Sequence, residues 1–456
     1  MDPIPLTALS PLDGRYADKA EPIREFLSEY ALIRYRVLVE VRWLQQLADE
    51  PGITNLGQLE SPVKDLLNRI VDNFGVEDAR RIKALEKTTN HDVKAVEYFL
   101  REQLAGVSSR GNELVSFLHF ACTSEDINNL AYALMLRDVR QTVLSPALQQ
   151  LRIDLRKLAH AYADIPMISR THGQTATPTT LGKELANFVV RLERQAQQLA
   201  GIEILGKLNG AVGNFNAHVV AYPAVDWIDL SERFVRALGL EPARYTTQIE
   251  PHDWIAEYCQ ALIRCNSIVI DLCRDCWSYI SLGYFRSRPV AGEVGSSTMP
   301  HKVNPIEFEN GEGNLGIANA LFEHLAGKLP ISRWQRDLTD STVLRNLGPA
   351  IGHTYVAWQS CRRGLSKLDV DVDRIARDIE RSPEVLAEAV QTLLRKNGVA
   401  DAYEQLKALT RGQAIDTDTL RRFIADAPLD PVDRKLLEEL TPSAYIGLAA
   451  ELARKV

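Results

Sequence analysis

The run from Gly292 to Pro305, GEVGSSTMPHKVNP, is the most informative stretch of the chain. Gly292 and Gly295 give its backbone the freedom to close over a ligand. Ser296, Ser297 and Thr298 add hydroxyls, Lys302 adds a positive charge, and Asn304 with Pro305 reads as a cap and first-turn pair for a new helix. Because a helix N-terminus attracts anions, the segment suits a ligand that carries a carboxylate. The bland alternative is a surface loop capping a helix. A second polar segment, SRTHGQTATP at 169–178, holds His172. Histidine can carry or release a proton near neutral pH. Thr177 and Pro178 read as an N-cap and first turn, which would hold His172 at a helix entrance. In HFACTSEDIN, residues 119–128, Thr123 and Ser124 stand before Glu125 and Asp126. Such a pair donates readily to carboxylate oxygens, and it equally makes a plain helix cap.

These segments interrupt a sequence that otherwise reads as helix. Residues 23–49, 184–208, 255–283 and 311–327 are rich in Leu, Ala, Glu, Arg and Gln, with apolar residues three and four apart. Runs of that length point to long helices packed side by side. The expected fold is mainly α, with three helical domains: an N-terminal one over 1–111, a central bundle of long helices over 112–364, and a C-terminal one over 365–456. Turns at Asp430-Pro431 and Thr441-Pro442 separate short helices in the last. Alternating strand patterns are scarce, and neither a dinucleotide-binding nor a P-loop motif is present.

The 456 residues are 45% apolar and 25% charged, an ordinary globular composition. A formal net charge of −7 argues against a nucleic-acid or membrane-surface binder, though not against an anionic small substrate met by local cations. No apolar run has the length of a membrane span, and MDPIPL lacks the basic start and apolar run of a signal peptide. A cytoplasmic protein is expected. Cysteines 122, 259, 265, 273, 276 and 361 suit reduced thiols, and the lone C-x-x-C at Cys273 and Cys276 reads as core packing. The nine histidines show no metal-ligand spacing, so no metal is expected.

Together the motifs resemble those of the fumarase/aspartase superfamily. The run after Val294 is similar to its signature, roughly G-S-S-x-M-P-x-K-x-N-P, and His301 fills the variable position as in the adenylosuccinate lyase branch. Fumarases usually have Gly there and argininosuccinate lyases Gln. TTNHDVK, residues 88–94, resembles the N-H-D-V-K of that branch, and SPLDGRY, residues 10–16, resembles its nucleotide-side segment. The resemblance covers nearly the whole chain. It implies β-elimination of fumarate from adenylosuccinate and from the succinylated aminoimidazole carboxamide ribotide, in a homotetramer whose sites draw on three subunits.

The resemblance also implies roles. His172 is the general acid and Ser296, as an alkoxide, the base, with Ser297 its nearby competitor. Thr123 and Ser124 bind the succinyl carboxylates, while Asn90, His91 and Asp92 belong to the substrate segment near the acid. Arg15, beside Tyr16, meets the phosphate. Gln248, Arg336, Ser341 and Arg345 line the nucleotide pocket, and Lys302, Asn304 and Asn310 hold the succinyl or catalytic end. Read alone, Arg336 and Arg345 are equally helix-surface ion-pair partners. Thr175 departs from the pattern, where the family commonly has Pro. No step of the elimination demands a metal or an organic cofactor. The rivals are another lyase of the superfamily, which His301 and N-H-D-V-K oppose, and a non-catalytic relative, although the base, the acid and the signature loop are all present.

Overall fold

The computed structural model describes residues 5–105, 111–289, 292, 298–299, 301–410 and 417–456. Helix dominates them. The helices that position the site are α1 (Glu29–Ala48), α2 (Val76–Thr89), α3 (Asp92–Leu104), α4 (Ser124–Val139), α5 (Leu181–Ala200), α6 (Asp253–Leu282), α7 (Ile306–Lys328), α8 (Thr339–Leu344) and α9 (Leu347–Ser366). Strands β1 (Pro166–Thr171) and β2 (Gln174–Thr180) form an antiparallel hairpin. The 30 residues of α6 reach about 45 Å. The chain is mainly α, as the periodicity indicates.

Two departures from the expected helices have local causes. The helix expected over 23–49 is split at Ser28, whose backbone is extended and whose Oγ accepts the Ala31 N–H at 3.2 Å. That cap starts α1 afresh after a short helix, Glu21–Leu27. The helix expected over 184–208 stops at Ala200. Beyond it, Lys207 donates its N–H to Asn129 Oδ1 at 2.8 Å and its carbonyl accepts from Asn129 Nδ2 at 2.9 Å. Leu205–Gly206 then pairs in parallel with Glu241–Pro242, and that ladder takes the place of helical bonds.

Two compact units are present. The first comprises Met1–Ala147, Ala196–Ser267 and Gly313–Ala357. In its core α1 packs on α4, and thirteen of the sixteen residues of α4 are buried. A helix covered on every face can afford few charges, so the acidic pair that opens it must be paired with something. The second unit comprises Leu148–Gln195, Ile268–Glu312 and Trp358–Val456. Its C-terminal helices close on a core that includes Ile379, Val390, Leu394, Leu420 and Ile424, and Ile168 of β1 joins it.

The hairpin corrects one expectation. Thr177 and Pro178 are not a helix cap; both lie in β2, where Pro178 pairs with Ile168 and Ala176 with Ser169. Thr177 is the extra residue of this bulge, and a proline is tolerated there because its missing N–H breaks no regular ladder bond. All six cysteines are free thiols; Cys273 and Cys276 are buried on α6. Among the described residues no helix is long and apolar enough to cross a membrane, and no group of three His, Cys, Asp or Glu side chains is placed to hold a metal ion.

Candidate active site

In the first unit Gln248, Arg336, Asp92, Arg345 and Ser341 fall along one path of polar contacts. Half-buried Gln248 donates through Nε2 to the Ala211 carbonyl at 3.1 Å, and its Oε1 accepts from Arg336 Nη1 at 3.2 Å. Arg336 Nη2 donates to Glu125 Oε1 at 2.9 Å, and Asn128 Nδ2 donates to that same oxygen at 2.8 Å. Asn128 Oδ1 accepts from Arg36 Nε at 2.8 Å, and Arg36 Nη2 donates to Asp92 Oδ2 at 2.7 Å. The Asp92 oxygen also meets Arg345 Nη2 at 3.4 Å, and Arg345 Nη1 donates to Ser341 Oγ at 2.9 Å. Helical spacing builds the joints: Glu125 and Asn128 are three apart on α4, and Arg345 follows Ser341 by four at the end of α8. Arg336, only 16% exposed, is therefore held inward and is not a surface ion-pair residue.

The N-H-D segment is a corner between two helices. Asn90 ends α2 in the left-handed region, at φ 52°, and His91 caps α3 by accepting the Lys94 N–H on Nδ1 at 3.1 Å. That turn delivers Asp92 to Arg36. Burial works to raise the Asp92 pKa, but Arg36, the Val93 N–H and Arg345 outweigh it and hold the carboxyl below its ordinary value. Arg15 and Tyr16 stand on a separate segment. Arg15 is exposed, whereas Tyr16 packs against Leu12, Ala20 and Val356 and lies under Lys19 Nζ at 5.6 Å.

Thr123 and Ser124 open α4, half-buried. Their position is fixed by Asp126, which is fully buried. Asp126 Oδ2 accepts the Thr123 N–H at 2.8 Å, while Oδ1 pairs with Lys207 Nζ at 2.9 Å and accepts the Asn209 N–H at 3.0 Å. Just upstream, His119 and Ala121 both have left-handed backbones, at φ 54° and 58°. Such strain persists only where the surroundings enforce it. Here His119 Nδ1 lies 2.6 Å from Oε1 of the buried Glu40. Burial pushes the imidazole pKa down, yet Glu40 turns the net shift upward.

In the second unit His172 is exposed at the tip of the hairpin. His172 and Gly173 form its two-residue turn, both left-handed at φ 54° and 75°, as a tight hairpin of right-twisted strands requires. Behind the tip, Arg170 lies 3.8 Å from Asp378 and Thr177 Oγ1 donates to Glu388. On the signature loop, Gly292 is left-handed at φ 88°, and exposed Lys302 donates its N–H to the Met299 carbonyl at 3.0 Å. Asn304 is half-buried two residues before α7. The Pro305 carbonyl accepts the Phe308 and Glu309 N–H groups, so Pro305, not Asn304, holds the cap position. Asn310 is half-buried on α7. Ser296, like Ser297 and Gly295, lies outside the described residues.

Sequence reasoning missed Arg36, Glu40, Glu125, Asn128, His119 and the Asp126–Lys207 pair. A weak signal exists for two: Arg36 and Glu40 fall in the same three- and four-spaced row as Ile33, Val37, Leu44 and Leu47 of α1, where unpaired charge would be costly.

A family described as "Lyase" matches residues 14–318, and one described as "Adenylosuccinate lyase C-terminal" matches 332–446. Among solved structures, a fumarate lyase from Mesorhizobium sp. BNC1 superposes with a TM-score of 0.75 at 20% identity, covering 95% of this chain and 97% of its own. The 3-carboxy-cis,cis-muconate lactonizing enzyme from Pseudomonas putida gives 0.73 at 22%, covering 95% of each chain. The architecture is thus that of the helical lyase class. Adenylosuccinate lyases from Vibrio cholerae and Escherichia coli K12 are 53% and 54% identical to it, over 99% and 97% of both chains respectively. The chain belongs to the adenylosuccinate lyase family.

Proposed function

We propose that this chain eliminates fumarate from adenylosuccinate to leave AMP, and from the succinylated aminoimidazole carboxamide ribotide by the same chemistry. Both substrates pair a ribosyl phosphate with a succinyl arm, so one pocket serves both. The structural observation that carries the reading is the path from Gln248 through Arg336, Asp92 and Arg345 to Ser341. It gathers the nucleotide-side residues of the motifs around two arginines suited to phosphate oxygens.

In the elimination a base takes the proton on the succinyl carbon next to a carboxylate, and an acid protonates the departing purine-side nitrogen. The C–H is weakly acidic, so the carbanion survives only if donors and cations meet the charge that builds on the adjacent carboxylate. We assign that task to Lys302, Asn304 and Asn310, with Thr123 and Ser124 holding the succinyl carboxylates. His172 is the acid; a hairpin tip lets its ring reach a ligand while the strands behind it stay fixed. Ser296 is the base, made competent by closure of the signature loop into a dry, cationic site. Arg15 meets the phosphate beside Tyr16, and His91 with Asn90 lines the substrate near the acid. We place the enzyme in the cytoplasm, where its six free thiols stay reduced, as a homotetramer whose sites draw on three subunits.

The test is turnover by the purified chain. AMP and fumarate should appear in equal amounts from adenylosuccinate, with no turnover of argininosuccinate. Ser296→Ala should abolish turnover while Ser297→Ala retains part of it; the reverse pattern would transfer the base to Ser297.

A further inference from the structure

We infer that His252 is a positioning residue for the nucleotide side of the pocket: lodged between Glu250 and Asp340, it ties the loop that carries Gln248 to the segment that carries Arg336, Ser341 and Arg345. The inference rests on the reading that those four residues meet the nucleotide end of the substrate.

His252 is 2% exposed and sits on a left-handed backbone, at φ 65°, immediately before α6. Nothing in helix initiation demands that conformation of a histidine, so the surroundings impose it. Nδ1 lies 3.6 Å from Glu250 Oε2, and that oxygen also accepts the residue's own N–H at 2.8 Å. On the other side Nε2 faces Asp340 Oδ2 at 3.7 Å. Among the described residues neither of those two atoms has a hydrogen-bond partner, so a small closure on ligand binding would complete a bond between them. Asp340 Oδ1 meanwhile accepts the Ser341 N–H at 2.7 Å and lies 3.7 Å from Arg336 Nη2. The Gln248 N–H donates to the Gln335 carbonyl at 3.3 Å, which joins the same two segments a second time.

Charge explains why the ring must be cationic. Glu250 on its own segment, Asp340 on α8 and Glu125 on α4 are all buried, and Arg336 is paired with the last two of them. A neutral ring would leave Glu250 without that partner and Asp340 and Glu125 sharing the Arg336 guanidinium. Asp340 would then draw Arg336 toward itself, in competition with the anionic end of a ligand. Burial pushes the His252 pKa down, but Asp340 and Glu250, with Glu125 behind them, more than reverse this, and it is pushed up to about 9. The ring is thus charged at neutral pH and loses its proton as pH rises through that value.

The experiment measures kcat and KM for adenylosuccinate from pH 6.5 to 10 in the full-length protein, His252→Gln and Arg336→Gln, with thermal melts of each. The expected result is a KM raised about tenfold in His252→Gln with kcat within about twofold, corresponding to a loss of binding confined to the ground state. The wild-type KM should be flat to pH 8.5 and climb beyond 9, and that limb should vanish in the variant. If His252→Gln leaves KM unchanged while Arg336→Gln raises it, the role of His252 is refuted and the pocket reading stands. If neither variant changes KM, the pocket reading itself is wrong. A variant that loses kcat and melting temperature together and still shows the alkaline limb would show a merely structural histidine. Should His252→Gln not fold, the wild-type profile decides: a KM flat to pH 10 overturns the inference.

Discussion

Asp92 holds two arginines that do different work: Arg36 is buried at 2% exposed, and Arg345 is 41% exposed. Removing the carboxylate strands a buried guanidinium, a kind of break that costs about 3–5 kcal/mol when both partners are deep. Asp92 is itself 27% exposed, so Asp92→Asn should cost somewhat less, about 2–3 kcal/mol in urea unfolding. It should also raise KM, because Arg345 loses a tether. The pH dependence has a definite sign. The folded carboxyl titrates below its ordinary value, so its contribution is complete above that value and is lost as pH falls through the lower folded one. The asparagine variant should show a shallower acid limb of stability. The residues we propose as reactive stand out at this scale because His172, Lys302 and the Thr123-Ser124 pair sit in compact motifs. Their supports do not. Arg36 is 56 positions from Asp92, and Arg336 is 211 from Glu125, so nothing local announces either partner.

Among the elements, the helices were readable because a 3.6-residue period is a local property, and α6 and α7 lie close to where the apolar spacing puts them. The hairpin was not, since Thr177-Pro178 imitates a helix start. A signal was nonetheless present: His172-Gly173 stands between two runs containing β-branched residues, a pattern that favours a two-residue turn. Gly173 is left-handed at φ 75°, so Gly173→Ala should destabilise by about 1 kcal/mol and tilt the tip. Steady-state kinetics should then show kcat lower by about tenfold, the order expected when an acid is displaced by a fraction of an ångström, with KM less affected. Gly173→Asn, which tolerates the left-handed region, should stay close to wild type. Equal losses in both variants would mean that turn geometry is not what places His172.

At the scale of the molecule, each compact unit is assembled from three separate stretches of chain. The three-part division at 111 and 364 follows sequence order instead, and we retain it only as a proposal about modules of the chain. The motifs are distributed accordingly: Gln248, Arg336 and Arg345 belong to the first unit, His172 and Lys302 to the second. If sites draw on several subunits, His172→Ala and Arg336→Ala, each nearly inactive alone, should recover part of wild-type turnover when mixed and allowed to exchange subunits. Sedimentation velocity would show whether the hybrids are tetramers, and no recovery in exchanged tetramers would place each site within one subunit. We propose that this chain splits adenylosuccinate with His172 as its acid. It is tested most directly by following AMP and fumarate together in the wild type and in His172→Ala. The wild type should release both products equally, and the variant should show a kcat lower by about 10²–10⁴-fold, the range general acid catalysis supplies. Fumarate without AMP, or a variant within a few-fold of wild type, would contradict it.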